Sequence, residues 1–394
     1  MNRLSALCLC GIFGIVGYWF VDDTRAMTVA SIFRNLVAGN TEIDQDHFQQ
    51  AALREVNARR SEQNLAALKA DPQIHEALSR FGATQNQLAS AELEPLFATL
   101  QRQFPGAQYL SATVLLDPSD TGLQSSLAEW DDAGNPQYES LSTLAFRDGL
   151  RQGCIAVLSR RLPPFDLEAA NRDGGRYFQT CPHCQKAHAI QLDRAAQTVI
   201  LACPDCKKPY DVLAADPDGV FRRATDYFEG FELPVPVSPP SQLPVDRMIA
   251  IWAAVLTHCD YEYDHKGSDK GEAWKLPSRT WSDGRGDCED SSLLLADALN
   301  SAGIEARVAV GWNIHIGQHA WCVARAGGRQ WILESTLRLK PGQQPKPVAV
   351  ADGADEYQPE QLIEPGRLHF RLDGRVRAGC PDYWSPDHWG TLAQ

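Results

Sequence analysis

The 394-residue sequence is short of positive charge. It carries 37 Lys and Arg residues against 50 Asp and Glu residues, so its formal net charge at pH 7 is -13. A surface with this balance repels the phosphate backbone of nucleic acids and the headgroups of anionic membranes. We therefore expect no nucleic acid among the partners of this protein.

The sequence also lacks a dense cysteine framework, an internal repeat and, apart from one proline-rich stretch, any low-complexity segment. Its 11 cysteines are scattered along the chain, which excludes a small disulfide-stabilised scaffold. Single hydrophobic cores rarely exceed roughly 250 residues, so a chain of this length is expected to form two or three domains.

One uncharged apolar run, Leu4–Val21, differs from the rest of the sequence. Arg3 precedes the run, and Asp22 and Asp23 follow it. Its length is about the minimum for a membrane-spanning helix, and its flanking charges predict a cytoplasmic N-terminus with an exported body. We therefore interpret residues 1–26 as a membrane anchor or signal segment.

Two alternatives to a retained anchor stay open. Cleavage as a signal peptide would secrete the body, although Thr24-Arg25-Ala26 is a poor cleavage site. Lipidation at Cys8 or Cys10 is less consistent with an apolar run that continues past both residues. In each case the body is expected to be extracytoplasmic, and periplasmic in a Gram-negative cell.

Residues 27–165 are predicted to be mainly helical and carry no recognisable chemistry. Within them, "YLSATVLL" has the pattern of a strand, and a helix is expected around "LSTLAFRDGLRQGCIAVLSRRL". The proline-rich "LPVPVSPPSQLPV" predicts an extended linker within residues 226–246, followed by a last domain at 247–394.

Four cysteines between these regions have the spacing of a metal site. Two strand-like runs end in C-P-x-C turns, giving the pattern C-x2-C-x18-C-x2-C from Cys181, Cys184, Cys203 and Cys206. Four thiolates suit tetrahedral zinc and leave no open position for substrate, so the zinc would be structural. We expect a zinc-ribbon-like domain at 166–225. Two disulfides are the alternative, because the body is expected to be exported.

The stretch "GRGDCEDSSLLLADALNSAGI" predicts a helix that begins close to Cys288. Apolar residues recur downstream at helical spacing, and Gly303 is a natural helix C-cap. Free backbone N–H groups and the helix dipole favour an anion at the first turn, and this lowers the pKa of a thiol. Cys288 is therefore a candidate nucleophile.

Three acids beside this thiol, Asp287, Glu289 and Asp290, would oppose thiolate formation if they pointed at the sulfur. They could instead point away, with Asp287 as the helix N-cap and the other two compensating the helix dipole. Alternatively, they could bind a hard cation, which would need further oxygen ligands.

Further along the chain, "HAWCVAR", "AGG" and "RQWILEST" predict a β-hairpin. A turn at Gly327 and Gly328 would pair Trp321 with Glu334 and place His319 diagonally beside Glu334. A turn shifted by one residue would pair His319 with Glu334 directly. Either register puts an imidazole beside a carboxylate, as a general base and the group that orients it.

These residues resemble the transglutaminase-like superfamily, and within it the bacterial transglutaminase-like cysteine peptidases. The resemblance spans roughly Arg247 to Thr336 and rests on "RTWSDGRGDCEDSSLLLADALNSAGIEARVAVGW", on "QHAWCVARAGGRQWILEST" and on the order Cys, His, acid. It implies an α+β fold whose papain-like transglutaminase core packs a central helix on an antiparallel sheet. Here a helical region and a small zinc ribbon would precede that core.

The resemblance also implies roles for individual residues. Cys288 would be the nucleophile, His319 its general base and later acid, and Glu334 the group that holds His319. The family usually has Asp or Asn at the third position, often followed by proline, whereas this sequence has Glu334-Ser335. Some bacterial relatives use the acidic cluster beside the cysteine as a calcium site, which would assign calcium to Asp287, Glu289 and Asp290.

The expected activity is a thiol-dependent hydrolase or acyltransferase that acts on protein or peptide amides through a thioester. Release of the thioester by water or by an amine would distinguish a peptidase from a crosslinking enzyme, and the sequence favours neither. The alternative is a non-catalytic, membrane-anchored module that uses the transglutaminase-like fold as a docking surface. The sequence gives no oligomeric state.

Overall fold

The computed structural model describes most of the chain beyond the N-terminal segment, namely residues 43–85, 87–149, 151–235, 243–263, 273–340, 343–372 and 378–393. The predicted anchor or signal segment at 1–26 and much of the predicted linker lie outside these ranges. Within them, no helix is both long and apolar enough to cross a membrane. The chain divides into two units, one formed mainly by residues up to Phe165 and the other mainly by residues from Gln191 onwards.

The first unit contains helices packed with a three-stranded antiparallel sheet of order β1-β3-β2. The helices are α1 (Gln45–Glu62), α2 (Pro72–Thr84), α3 (Glu94–Gln103) and α4 (Asp120–Glu129). The strands are β1 (Ala107–Asp117), β2 (Ser140–Asp148) and β3 (Arg151–Arg161). Two 3-10 turns, Leu88–Ser90 and Asp131–Gly134, complete the elements of this region.

The helix predicted around residues 141–162 is wrong, because this stretch forms the β2–β3 hairpin. The central strand β3 is buried on both faces, so its apolar residues run continuously instead of alternating. Such a run cannot be distinguished from a buried helix by periodicity alone. Gly149, at φ +62°, adopts the left-handed conformation that the connection requires.

Glutamine side chains of α1 cover the backbone of the edge strand β2. Gln45 exchanges two hydrogen bonds of 2.9 Å with the N–H and C=O of Ala145. One turn later, Gln49 donates to the carbonyl of Leu141 at 2.9 Å and accepts from the N–H of Thr143 at 2.6 Å. The amides thus substitute for a neighbouring strand and satisfy backbone groups that an open edge would leave exposed.

The cysteine-containing region is built from short strands, as predicted. β4 (Arg176–Thr180) and β5 (Ala187–Gln191) form one ladder, while β6 (Thr198–Ala202), β7 (Pro209–Ala215) and β8 (Phe221–Arg223) form another. Helix α5 (Leu167–Asp173) precedes them, and a 3-10 turn, Ala224–Tyr227, follows. Cys181 comes directly after β4 and Cys203 directly after β6, so each pair lies at the end of a strand.

The rest of the second unit has the expected α+β architecture. It contains α6 (Pro244–His258), β9 (Asp260–Tyr261), α7 (Pro277–Asp283), β10 (Arg285–Gly286), α8 (Cys288–Ser301) and α9 (Val350–Gly353). Its sheet strands are β11 (Ala306–Asn313), β12 (Gly317–Ala326), β13 (Arg329–Leu333), β14 (Val348–Ala349), β15 (Tyr357–Glu364), β16 (Arg367–Arg371) and β17 (Trp389–Ala393). They form a seven-stranded antiparallel sheet of order β14-β13-β12-β11-β15-β16-β17.

Helix α8 is the centre of this unit. It is buried from Glu289 to Leu299 and packs against α6, α7 and the central strands β11 and β12. Its leucines share one apolar cluster with side chains from α6, from the sheet and from β7, including Val212 and Ala214. The strand that follows the second cysteine pair therefore belongs to the same core as the helix that begins at Cys288.

A buried carboxylate of α8 holds the segment that leads from β8 towards α6. Asp297 is 1% exposed and accepts hydrogen bonds from the backbone N–H groups of Glu229 at 3.0 Å, Gly230 at 3.2 Å and Phe231 at 2.9 Å. Burial raises the pKa of Asp297, although these hydrogen bonds favour its ionised form. One side chain thus satisfies three consecutive backbone donors.

Replacing Asp297 by alanine should lower the free energy of unfolding by about 2–4 kcal/mol, because partly buried N–H groups lose their acceptor. Chemical denaturation of the purified protein measures this loss. Asp283→Ala is the matched control, because it removes a carboxylate from an exposed ion pair with Arg279 that contributes little. Equal effects of the two substitutions would contradict the role of Asp297.

Candidate active site

The segment before α8 brings Cys288 to the helix N-terminus. Gly284, at φ +64°, ends α7 in a left-handed conformation, and β10 then pairs in parallel with β9. A Cβ atom on Gly286 would lie 2.6 Å from the Cβ of Asp290, so only glycine lets the chain pass this close to the first helical turn. Cys288 follows as the first residue of α8, as predicted.

The sulfur of Cys288 lies between a carboxylate and the central sheet. Its thiol donates a 3.1 Å hydrogen bond to Oε2 of Glu289, while the nearby backbone N–H of Ala320 on β12 acts to lower the pKa of the thiol. Burial raises the pKa of the Cys288 thiol, and the charges of Glu289 and Asp287 raise it further. The group is therefore a thiol in this geometry.

The predicted β-hairpin supplies the imidazole and its carboxylate. Gly327–Gly328 forms the two-residue turn, both residues having positive φ, and Ala326 pairs with Arg329. His319 is thus the diagonal neighbour of Glu334, and its Nε2 donates to Oε2 of Glu334 at 2.9 Å. The first of the two predicted registers is confirmed.

Hydrogen bonds from neighbouring residues hold both the side chain and the backbone of Glu334. Oε1 accepts from the backbone N–H of Thr336 at 3.1 Å and from its hydroxyl at 2.7 Å, while Oε2 also accepts from Tyr357 at 3.2 Å. The carbonyl of Glu334 accepts from Trp252 at 3.0 Å. Burial opposes ionisation, but the hydrogen bonds from His319 and Thr336 prevail, so the pKa of Glu334 lies below its usual range.

Of the three predicted catalytic residues, His319 and Glu334 are in direct contact, and Cys288 begins the helix that packs against the strand carrying His319. The backbone N–H of Ala320, the residue after His319, lies near enough to Cys288 to lower the pKa of its thiol, and the His319 ring is hydrogen-bonded to Glu334. His315, the histidine that precedes His319 in this region, is exposed in the turn before β12, 3.8 Å from Glu356. The geometry therefore favours His319 over His315.

Comparison with known proteins agrees with this architecture. Residues 236–333 match the family model described as the transglutaminase-like superfamily. These residues form a transglutaminase-like domain. No curated protein matches the chain closely enough to be counted as a relative.

Two solved structures similar to the chain are both of LapG from Legionella pneumophila. One is 21% identical and covers 32% of this chain and 68% of its own, with a TM-score of 0.27. The other, the calcium-bound form, is 20% identical and covers 35% of this chain and 75% of its own, with a TM-score of 0.28.

The acids beside Cys288 in the transglutaminase-like domain differ in part from the predicted arrangement, in which all three point away from the sulfur and Asp287 caps the helix. Asp287 occupies the N-cap position but makes no capping hydrogen bond, so its predicted capping role is wrong. Glu289 lies in the first turn, as predicted, but it accepts a hydrogen bond from the thiol instead of pointing away from it. Asp290 does point away. Both of its oxygens bind Lys275, one through the backbone N–H at 2.7 Å and the other through Nζ at 2.9 Å.

Calcium binding by Asp287, Glu289 and Asp290 stays a prediction. In the part of the chain that the structure describes, the group whose ligand atoms converge as in a metal site is formed by the four cysteines. The three acids do not form such a group there. The ammonium of Lys275 already neutralises Asp290, which is fully buried. A calcium ion bound to Asp290 would have to share the carboxylate with Lys275 or displace the lysine from it.

The four cysteines of the second cluster could bind a metal ion. Their sulfur atoms all lie within 4.8 Å of one another, with Cys181 to Cys206 at 3.8 Å and Cys184 to Cys203 at 3.6 Å. These distances far exceed a disulfide bond of about 2.05 Å, and the four residues are free thiols in this structure. The alternative of two disulfides is therefore not what the structure shows.

Several residues of the site were missed by the sequence analysis. Thr336 had a local signal, since a threonine two residues after an acid commonly bonds back to it in a turn. Tyr357 and Lys275 had none, because each is brought to the site by a distant element. The same holds for Ser292 of α8 and Ser335, whose hydroxyls are 2.8 Å apart and join the helix to the end of β13.

The lowered pKa of Glu334 predicts a pH-dependent contribution to stability. A carboxylate whose pKa is lower in the folded than in the unfolded state stabilises the fold above its unfolded pKa, and this stabilisation is lost as the pH falls through the folded pKa. The free energy of unfolding of Glu334→Gln should therefore lie below that of wild type at neutral pH and approach it between about pH 5 and about pH 3.

Denaturant titrations of both proteins across this range measure the difference. Glu305→Gln is the control, because Glu305 forms only an exposed ion pair with Arg325. A wild-type advantage over Glu334→Gln that stayed constant down to pH 3 would contradict the assignment.

Proposed function

We propose that the transglutaminase-like domain is a cysteine peptidase that hydrolyses amide bonds of proteins or peptides. One observation supports this proposal above others: His319, which is hydrogen-bonded to Glu334 at 2.9 Å, lies on β12, the strand against which the helix that begins at Cys288 packs. Nucleophile, base and orienting acid are the three parts that covalent amide hydrolysis requires.

In the first step, His319 accepts the thiol proton of Cys288, and the sulfur attacks the carbonyl carbon of the substrate. Glu334 holds the ring in place and stabilises the imidazolium that forms. The N-terminal end of α8 stabilises the thiolate, and the backbone N–H of Cys288 is in position to donate to the developing oxyanion.

In the second step, the carbon–nitrogen bond breaks and the amine leaves with the proton from His319, which produces a thioester on Cys288. Water then attacks the thioester while His319 accepts its proton, and the carboxylic acid is released as the thiol reforms. An amine in place of water would give acyl transfer, so the same residues also support a crosslinking reaction.

The surroundings of the thiol favour a second candidate, a non-catalytic docking module. Burial, the charge of Glu289 and its hydrogen bond all raise the pKa of Cys288. Burial likewise raises the pKa of Glu289, whose side chain also shares a hydrogen bond with Asp287. An enzyme with this site must break the Cys288–Glu289 hydrogen bond when substrate binds, whereas a docking module has no such requirement.

Alkylation and turnover distinguish the two candidates. With limiting iodoacetamide near neutral pH, Cys288 should be labelled in wild type, and His319→Ala should reduce the labelling by about tenfold or more. Fluorescent casein should be degraded by wild type but not by Cys288→Ala or His319→Ala. His315→Ala is the matched control and should keep both signals.

The opposite result would support the docking module. In that case Cys288 would resist iodoacetamide in the folded protein, and wild type would degrade casein no faster than Cys288→Ala. Peptide mapping by mass spectrometry separates Cys288 from the other thiols.

We also propose that Cys181, Cys184, Cys203 and Cys206 hold a structural zinc ion. Four sulfurs bound to zinc at about 2.3 Å form a tetrahedron with edges of about 3.8 Å, close to the 3.6 Å and 3.8 Å separations found here. His183 lies within this segment, but its Nε2 is 3.0 Å from the carbonyl of Pro209. The ion would complete the fold and take no part in the reaction.

Metal analysis of the purified protein should find zinc bound to this cluster. Cys203→Ser should lose the metal and lower the melting temperature by about 5 °C or more, because a metal that binds only the folded chain contributes its binding energy to stability. Cys259→Ser is the control, because Cys259 is outside the cluster and should leave the metal in place. Equal zinc content in the two variants would contradict the assignment.

A further inference from the structure

A cleft of about 780 Å³ opens beside the candidate catalytic residues. One wall is formed by the end of α6 and by β9, and the other by the segment that follows β13. Its first wall includes Leu256, Asp260 and Tyr261, and its second includes Thr336, Arg338 and Lys340. The size is that of a typical ligand pocket.

Both walls reach the catalytic residues. Thr336 lines the cleft and donates two hydrogen bonds to the carboxylate of Glu334. On the opposite wall, Tyr261 of β9 pairs with Gly286 of β10, two residues before Cys288. A polypeptide in this cleft would therefore pass the nucleophile.

The charges of the two walls differ in sign. Arg338 and Lys340 are exposed, and no carboxylate among the described residues forms an ion pair with either of them. Asp260 is the acid on the facing wall. In a chain with a net charge of -13, these two cations on one side of a cleft form a local positive surface.

We propose that this cleft binds the polypeptide substrate and selects an acidic residue next to the scissile amide, with its carboxylate against Arg338 and Lys340. The inference rests on the proposed peptidase function and adds a substrate class to it. Arginine binds carboxylates through a bidentate pair of hydrogen bonds, and lysine adds a point charge. Asp260, on the other wall, repels an acidic side chain. The preference for an acidic residue therefore applies to one position of the substrate.

These two cations would attract an acidic peptide to a chain whose net charge is negative. The overall charge opposes the approach of such a substrate, but a positive surface inside a cleft with low-dielectric walls strengthens the local attraction. Leu256, Leu337 and Leu339 supply apolar surface in the same cleft for the substrate residues around the charge. The selected segment is therefore an acidic residue flanked by apolar ones.

The test uses the full chain and a synthetic peptide library that contains every residue type at every position, with cleavage products identified by mass spectrometry. Wild type should cleave peptides with Asp or Glu at one position near the scissile bond. In R338E/K340E this preference should fall by about tenfold and shift towards Lys and Arg. R329E/K346E is the matched control, because it makes the same change in net charge at exposed residues that do not line the cleft.

Each outcome has a defined meaning. Cleavage by wild type without an acidic preference, or a preference unchanged in R338E/K340E, would overturn the substrate assignment and leave the peptidase function intact. Cleavage no greater than that of Cys288→Ala would overturn the peptidase function and the substrate assignment with it. R338Q/K340Q, which only removes the charges, repeats the test if charge reversal prevents folding.

Discussion

The hydrogen bond between His319 and Glu334 is the interaction on which the candidate site depends. Proteins that this sequence resembles usually have Asp or Asn at this position, and glutamate has one more rotatable bond to immobilise. Here Thr336 and Tyr357 bind its two oxygens, and Trp252 holds its backbone carbonyl. These contacts restrict the longer side chain and keep it ionised, so that it can orient an imidazole as a shorter acid would.

Two of the acids around Cys288, Asp290 and Glu289, have different structural roles. Asp290 is neutralised by Lys275 and ties the segment before α7 to the first turn of α8. Glu289 accepts the thiol hydrogen bond and opposes thiolate formation. Because the helix N-terminus favours the thiolate while Glu289 favours the thiol, the reactivity of Cys288 depends on which interaction a bound substrate leaves in place.

Local patterns predicted the parts of the site that lie on one element or one turn. The Gly327–Gly328 turn fixed the register of His319 and Glu334, and the helical spacing after residue 288 placed the cysteine at a helix start. Contacts between distant segments had no such signal, which is why Lys275 and Tyr357 were missed. The β2–β3 hairpin was mistaken for a helix for a related reason, because burial on both faces of β3 is set by the surrounding elements and removes the alternation that identifies a strand.

The four-cysteine region and helix α8 are physically connected within the second unit. β7 follows the second cysteine pair, and the carbonyl of its last residue, Ala215, accepts a 2.9 Å hydrogen bond from the N–H of Trp274. The next residue, Lys275, binds Asp290 in the first turn of α8. A metal ion that fixed the cysteine turns would therefore also fix the strand that positions Lys275. The buried carboxylate of Asp290, in the first turn of α8, would then be neutralised only when the metal-binding segment is folded.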